Sequence, residues 1–217
     1  MKSKKRNFII SIIFIVLAIV FTILVKVVDV KQLGAGQTDI GFATINQFVF
    51  EYFGVNMIWY HITDWLGLIP IFIAITYAFV GLFQLIKRRS LFKVDKEIII
   101  LGFFYIIVII LYLFFEKIIV NYRPILMNGF IEASYPSSHT LMTICLCGSS
   151  ILINKKLFNN KVIKIVNILS FIIIVITISG RLISGVHWFT DIVGRVLISL
   201  ALLMSLYSFF STIKHTN

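Results

Sequence analysis

Acidic side chains are scarce in this 217-residue chain: nine Asp and Glu stand against 20 Lys and Arg. No cluster of them suits magnesium, whose sites are built from several oxygens. Charged residues of both signs make up only 13% and hydrophobic residues 59%, which excludes an ordinary soluble domain of this length. Cysteine is nearly absent. Cys145 and Cys147 lie two apart in an apolar run and point different ways on a helix, so they are read as small packing residues and not as a disulfide or metal site. Period-2 alternation is missing, which argues against a membrane barrel. No low-complexity linker or internal repeat divides the chain, and residues 1–217 are read as one domain.

What the chain has instead is long apolar runs. Phe8–Val25, Leu66–Ile86, Ile98–Phe115 and Val196–Ile213 are each about the length a bilayer requires, roughly 17–25 residues. Thr140–Asn154 and Ile165–Gly180 are shorter and reach that length if their polar flanks lie at the interface. The expectation is an all-α integral membrane bundle of six transmembrane helices, since lipid offers no partner to an unpaired backbone group. The first run follows "KSKKR" but is too long for a signal-peptide core, and "KVVDVKQLG" after it has no cleavage-site pattern, so it is read as a retained anchor.

The net charge of +11 does not point to nucleic acid, because of where the charges lie. Fourteen of the 20 basic residues fall before span 1, between spans 2 and 3, between spans 4 and 5, or after span 6. That bias marks cytoplasmic loops. A multi-pass protein of the cell membrane follows, with both termini in the cytoplasm and loops 1–2, 3–4 and 5–6 outside.

Loop 1–2 is the long one. In "DIGFATINQFVFEYFG", Ile45, Phe48, Val49, Tyr52 and Phe53 fall at helical spacing, with Asn46, Gln47 and Glu51 elsewhere on the wheel. This predicts an amphipathic helix at the outer interface. Trp59, Tyr60 and Trp65 then mark the headgroup level where span 2 enters. His61 and Asp64 lie three apart there, with no further ligands at suitable spacing, and are not read as a site.

The unusual polar residues sit in loops 3–4 and 5–6. "EKIIVNYRP" runs from Glu116 to Pro124, "SYPSSHT" from Ser134 to Thr140, and "GRLISGVHWFTD" from Gly180 to Asp191. Ionisable residues at the bilayer are costly and are functional candidates by default. His187 and Asp191 are four apart; on a helix they would share one face, and the carboxylate would fix the imidazole tautomer and leave the other nitrogen's lone pair free. A solvated polar pair at a helix start is the plainer alternative. Arg123 and Arg181 bring guanidinium forks that match phosphate oxygens, and Lys117 brings a point charge. Ser137 and Ser138 bring hydroxyls and helix-end amides that bind anions. His139 stands beside them as a proton donor. Together these residues describe a phosphate site with a nucleophile and an acid.

The same residues resemble the three-part signature of the type 2 phosphatidic acid phosphatase family, written K-x6-RP, PSGH and SR-x5-H-x3-D. Arg123-Pro124 matches the end of the first part. Pro136-Ser137-Ser138-His139 matches the second, with Ser138 where glycine is usual. Arg181, His187 and Asp191 match the third, with Gly180 for the preceding serine. Five residues and not six separate Lys117 from Arg123, so Glu116 holds the usual lysine position. Either the helix adjusts to bring Lys117 in, or Glu116 faces the site. Arg195 lies one turn beyond Asp191, either pairing with it or snorkelling to the polar surface.

The resemblance implies a lipid phosphatase in which His187 attacks phosphorus, Asp191 orients it, and His139 protonates the leaving oxygen. Arg123, Arg181, Ser137, Ser138 and Lys117 would hold the phosphoryl oxygens. It implies no cofactor, metal or obligate protein partner; the partners are membrane lipids and a lipid phosphate. Undecaprenyl diphosphate of a bacterial cell envelope is favoured over phosphatidylglycerol phosphate and phosphatidic acid. The alternatives are a catalytically weak lipid-phosphate binder of the same fold and a small transporter, which would spread its charges through the bilayer depth.

Overall fold

The structure is a computed structural model that describes residues 2–135, 138–157 and 161–212, without the side chains of residues 2, 3, 138 and 155–157. It is all-helical apart from one small hairpin. In chain order the elements are α1 (Lys2–Val27), β1 (Lys31–Leu33), β2 (Thr38–Ile40), α2 (Ala43–Phe53), α3 (Met57–Leu66), α4 (Leu68–Arg88), α5 (Lys96–Lys117), α6 (Ser138–Leu157), α7 (Lys161–Ile183) and α8 (Phe189–Thr212). Among the described residues, five stretches are long and apolar enough to cross a membrane: Lys4–Val27, Met57–Arg88, Lys96–Lys117, Lys161–Ile183 and Phe189–Thr212. His139–Asn154 is a shorter apolar helix.

The packing explains why that helix is less apolar than the others. α6 lies against α4, α5, α7 and α8. Thr143, Cys145, Cys147, Ser149, Ser150 and Asn154 are all buried against neighbours, so this helix meets protein on every side. Small and hydroxylated residues suit such contacts, where backbones approach closely. The outer helices are inverted. Phe8, Ile19, Phe72, Phe79, Phe103, Ile110 and Phe171 all point outward. An apolar exterior of this extent marks a surface made for lipid. Both cysteines are buried and unbonded, in keeping with packing.

α1 runs antiparallel to α8. Ser11 and Ser205 share a hydrogen bond of 2.8 Å, and Lys4 Nζ donates to the Thr212 carbonyl. At the other end, Thr22 Oγ1 lies 2.8 Å from the Tyr135 hydroxyl. α2 docks on the start of α8 through Asn46, which is fully buried. Its Oδ1 accepts from the Thr190 amide at 3.1 Å, and its Nδ2 donates to Thr190 Oγ1 at 2.9 Å. One of the four amides that a helix start leaves unpaired is thus capped from a distant segment. The opposite face of α2 exposes Ile45, Phe48 and Tyr52.

The chain between α5 and α6 folds back on itself. Tyr122 bridges Ala133, Ser134 N donates to Asn121 O, and Arg123 N donates to Glu132 O. Asn128 and Gly129 both have positive φ (51° and 82°) between Met127 and Phe130, which exchange two backbone hydrogen bonds. Two positive-φ residues are what a tight two-residue hairpin turn requires, and Asn-Gly is its usual sequence. This ribbon brings Arg123 and Ser134 to the same end of the bundle.

Candidate active site

Loops 3–4 and 5–6 meet. Trp188 Nε1 donates to the Tyr122 carbonyl at 2.8 Å, and Asn121 Nδ2 donates to Asp191 Oδ1 at 3.2 Å. α7 ends at Ile183 and α8 begins at Phe189, so His187 precedes the helix. The shared helix face expected for His187 and Asp191 is therefore corrected. Asp191 caps its own helix, its Oδ2 accepting from the Trp188 amide at 2.9 Å, as the third residue of a helix commonly does. Its carboxylate reaches His187 through Ser134. The Ser134 hydroxyl donates to Asp191 Oδ2, and the Ser134 Oγ lies 3.0 Å from His187 Nδ1.

Donor counting fixes the tautomer. An ionised carboxylate only accepts, and a hydroxyl has one hydrogen. Once Ser134 gives that hydrogen to Asp191, its oxygen accepts from Nδ1–H of His187. The Nε2 lone pair is left, with no hydrogen bond to it among the described residues. His187 is nearly fully buried. Burial, and then the charges of Arg123, Arg181 and Arg195, hold its pKa well below 6.5, so the ring is neutral.

His187 opens into a cavity of about 290 Å³, whose walls include Tyr112, Glu116, Arg123, Ser134 and Arg195. Arg123 Nη2 contacts Glu132 at 3.2 Å, while its Nε and Nη1 are buried without a hydrogen-bond partner among the described residues. Lys117, expected to bind phosphate, does not line this cavity; Glu116 does. One residue turns a helix by about 100°, and α5 keeps its phase to its end instead of adjusting. Nor does Arg195 snorkel. It is buried at 1% exposure and forms no ion pair with Asp191.

Arg181 and His139 meet at a residue that the sequence reading set aside. Asp64 Oδ1 lies 2.9 Å from His139 Nε2 and 2.9 Å from Arg181 Nη2. Arg181 also lies over the Tyr60 ring, 4.8 Å from its centroid. Both partners come from α3, and Gly180 lets α3 approach. A side chain at Gly180 would run into Thr63 and Trp59. The glycine that stands for a serine thus admits the helix that carries Asp64. His139 borders a second cavity of about 240 Å³ with Gly67, Leu68, Ile71 and Met142, and Tyr112 forms part of both cavities. Ser137 lies outside the described residues, and Ser138 is described only as the first residue of α6. A larger apolar cavity of about 680 Å³ between α4 and α5 offers no charged group to an anion.

A buried histidine, three guanidiniums and a histidine–carboxylate pair thus gather at one end of an all-helical bundle that has an apolar surface and several helices long and apolar enough to cross a membrane. Residues 117–214 match the PAP2 superfamily. Comparison with curated protein sequences gives no match. Among solved structures, the fold is similar to that of a transmembrane PAP2-type phosphatidylglycerolphosphate phosphatase from Bacillus subtilis. The TM-score is 0.59 and the identity 18%, covering 95% of this chain and 98% of that one.

Proposed function

We propose that residues 1–217 form one membrane lipid phosphatase that hydrolyses a phosphate monoester or diphosphate through a phosphohistidine on His187. The observation that carries this reading is the hydroxyl bridge from Asp191 through Ser134 to His187 Nδ1, which leaves Nε2 as a lone-pair donor at a cavity walled by guanidinium groups. In the first step Nε2 attacks phosphorus and the bond to the leaving oxygen breaks. His139 gives that oxygen a proton. Nδ1–H stays on Ser134, and the bridge spreads the new positive charge toward Asp191. Water then attacks phosphorus and gives a proton back to His139. The P–N bond breaks, and its electron pair returns to His187. Guanidiniums suit this chemistry because charge gathers on the phosphoryl oxygens. Asp64 holds the His139 ring by one nitrogen and acts as a positioning residue.

The apolar cavity beside His139 gives the lipid part of the leaving group a place next to its acid. In this reading α6 is the sixth span, α2 rests at the outer interface on its exposed Ile45, Phe48 and Tyr52, both termini are cytoplasmic, and the site faces outward. An outward site suits a lipid phosphate or diphosphate, and the abundance of Ile, Phe and Lys in a compact chain favours undecaprenyl diphosphate of a bacterial envelope. No metal takes part. The test is phosphate release by the purified chain in detergent, with a chelator present, against undecaprenyl diphosphate, phosphatidylglycerol phosphate and phosphatidic acid. Release from at least one without metal is expected. Release from none, or only after magnesium is added, contradicts the proposal.

A further inference from the structure

We propose that Arg195 is a phosphoryl-binding residue, supplying from α8 the cation that Lys117 does not bring to the cavity. The assignment rests on the reading that a lipid phosphate reacts at His187.

A charged side chain within a membrane helix is expensive and has to be accounted for. Snorkelling would leave its head at the polar surface, but Arg195 is buried at 1% exposure. Pairing would put a carboxylate within reach, yet no ion pair of Arg195 occurs among the described residues. Asp191 is already engaged by Ser134, Asn121 and the Trp188 amide. Glu116 shares the cavity wall but forms no ion pair with it. The Nε and Nη1 of Arg195 are buried with no hydrogen-bond partner among the described residues. A buried guanidinium left in that state is destabilising by itself. An anion in the cavity would satisfy it.

The cavity supplies the geometry. Arg195 lines the same space as Arg123 and the nucleophile His187. Arg123 likewise has two buried nitrogens without a partner there. Two guanidiniums with open donors, on elements far apart in sequence, thus converge where the reacting group has to sit. The ligand they fit is a tetrahedral phosphoryl dianion, whether on a lipid or free.

The experiment uses the full chain purified in detergent. Inhibition by inorganic phosphate and the KM for a soluble short-chain lipid phosphate are measured for wild type, Arg195→Met, Arg195→Lys and the double variant Glu116→Gln with Arg195→Met. Losing a hydrogen bond to a charged group weakens binding by about tenfold to a hundredfold. Arg195→Met is expected to weaken inorganic phosphate by that factor and to raise KM in step. Arg195→Lys should recover part of the loss, since lysine restores the charge without the planar fork. The thermal midpoint without anion should stay the same or rise, because an unpaired buried charge is removed.

If Arg195 merely neutralises Glu116, the midpoint falls in Arg195→Met and the double variant regains wild-type phosphate affinity; that result overturns the assignment, as does wild-type affinity in Arg195→Met alone. Should Arg195→Met not fold, Arg195→Gln takes its place, and wild-type affinity there overturns the assignment equally. Lipid hydrolysis by wild type with no effect of Arg195 sinks this inference and leaves the phosphatase reading intact. Arg195-dependent phosphate binding without hydrolysis of any lipid sinks that reading and leaves the anion site.

Discussion

Asp64 and His139 are joined by a 2.9 Å contact between Oδ1 and Nε2, although 75 positions separate them in the chain. A carboxylate that holds one imidazole nitrogen fixes the ring's direction. If the ring is the leaving-group acid, Asp64→Asn should damage substrates in proportion to their need for a proton. General acid catalysis contributes about 10²–10⁴-fold where the need is full. Single-turnover rates with an alkyl phosphate lipid should fall far more than those with nitrophenyl phosphate, whose phenolate leaves readily. His139→Ala should show the same bias. Equal losses on both substrates would mean that Asp64 acts only through its other partner, Arg181.

Ser134→Ala removes the bridge between His187 and Asp191. Buried groups left unpaired cost about 1–3 kcal/mol each, and the imidazolium-like transition state loses its support. The chemical step should slow by about tenfold to a hundredfold, while the affinity for inorganic phosphate changes little. Ser134→Thr keeps the hydroxyl and should retain most of the rate. Equal rates for Ser134→Ala and wild type in single-turnover measurements would mean that Asp191 acts on His187 without the bridge.

The pH dependence follows from His187. Its pKa lies well below 6.5, first through burial and then through Arg123, Arg181 and Arg195, so the ring keeps its lone pair as pH falls through the range where an ordinary histidine protonates. The acid limb of kcat/KM is expected below pH 6.5 and not at it. The sign for stability is the same. The unfolded ring binds a proton at its ordinary value and the folded ring does not, so stability is full above pH 6.5 and declines as pH drops below it. An acid limb of wild-type kcat/KM at 6.5, found alike with substrates whose own phosphate groups titrate at different pH, would contradict this.

Asn46 makes a separate prediction about folding. It caps α8 through Thr190, and the cap holds the turn that carries His187 and Asp191. Asn46→Ala should cost about 1–3 kcal/mol, by loss of the cap and of a buried hydrogen-bond pair. Thermal unfolding in detergent checks it. A midpoint equal to that of wild type would mean that the start of α8 is held without α2.

The chain's helical class and the polar residues of its end loops were legible because both leave periodic traces. Apolar runs of bilayer length read as helices, and His187, Asp191, Arg181 and Arg123 sit at fixed spacings within short stretches. Ser134 and Asp64 were not legible for the opposite reason. Each acts through one contact across the bundle, between residues 53 and 75 positions apart for His187 and His139. Local spacing carries no trace of such a contact. The Asn128-Gly129 turn did carry a signal, since that pair between apolar residues marks a tight hairpin; it is what turns Ser134 back toward Asn121. Lys117 and Glu116 differ only by helix phase, which depends on where α5 packs. For Arg195 the sequence left pairing with Asp191 and snorkelling both open, because sequence alone shows no cavity beside it.

The most direct measurement is of the covalent intermediate. Wild-type protein mixed with a lipid phosphate labelled at the reacting phosphoryl group, quenched in base within a turnover, should carry label that acid removes and base does not. His187→Ala should carry none, and His139→Ala should carry it when the label comes from a substrate with a good leaving group. Label retained in His187→Ala, or phosphate released by wild type with no protein-bound label at any quench time, would contradict the account.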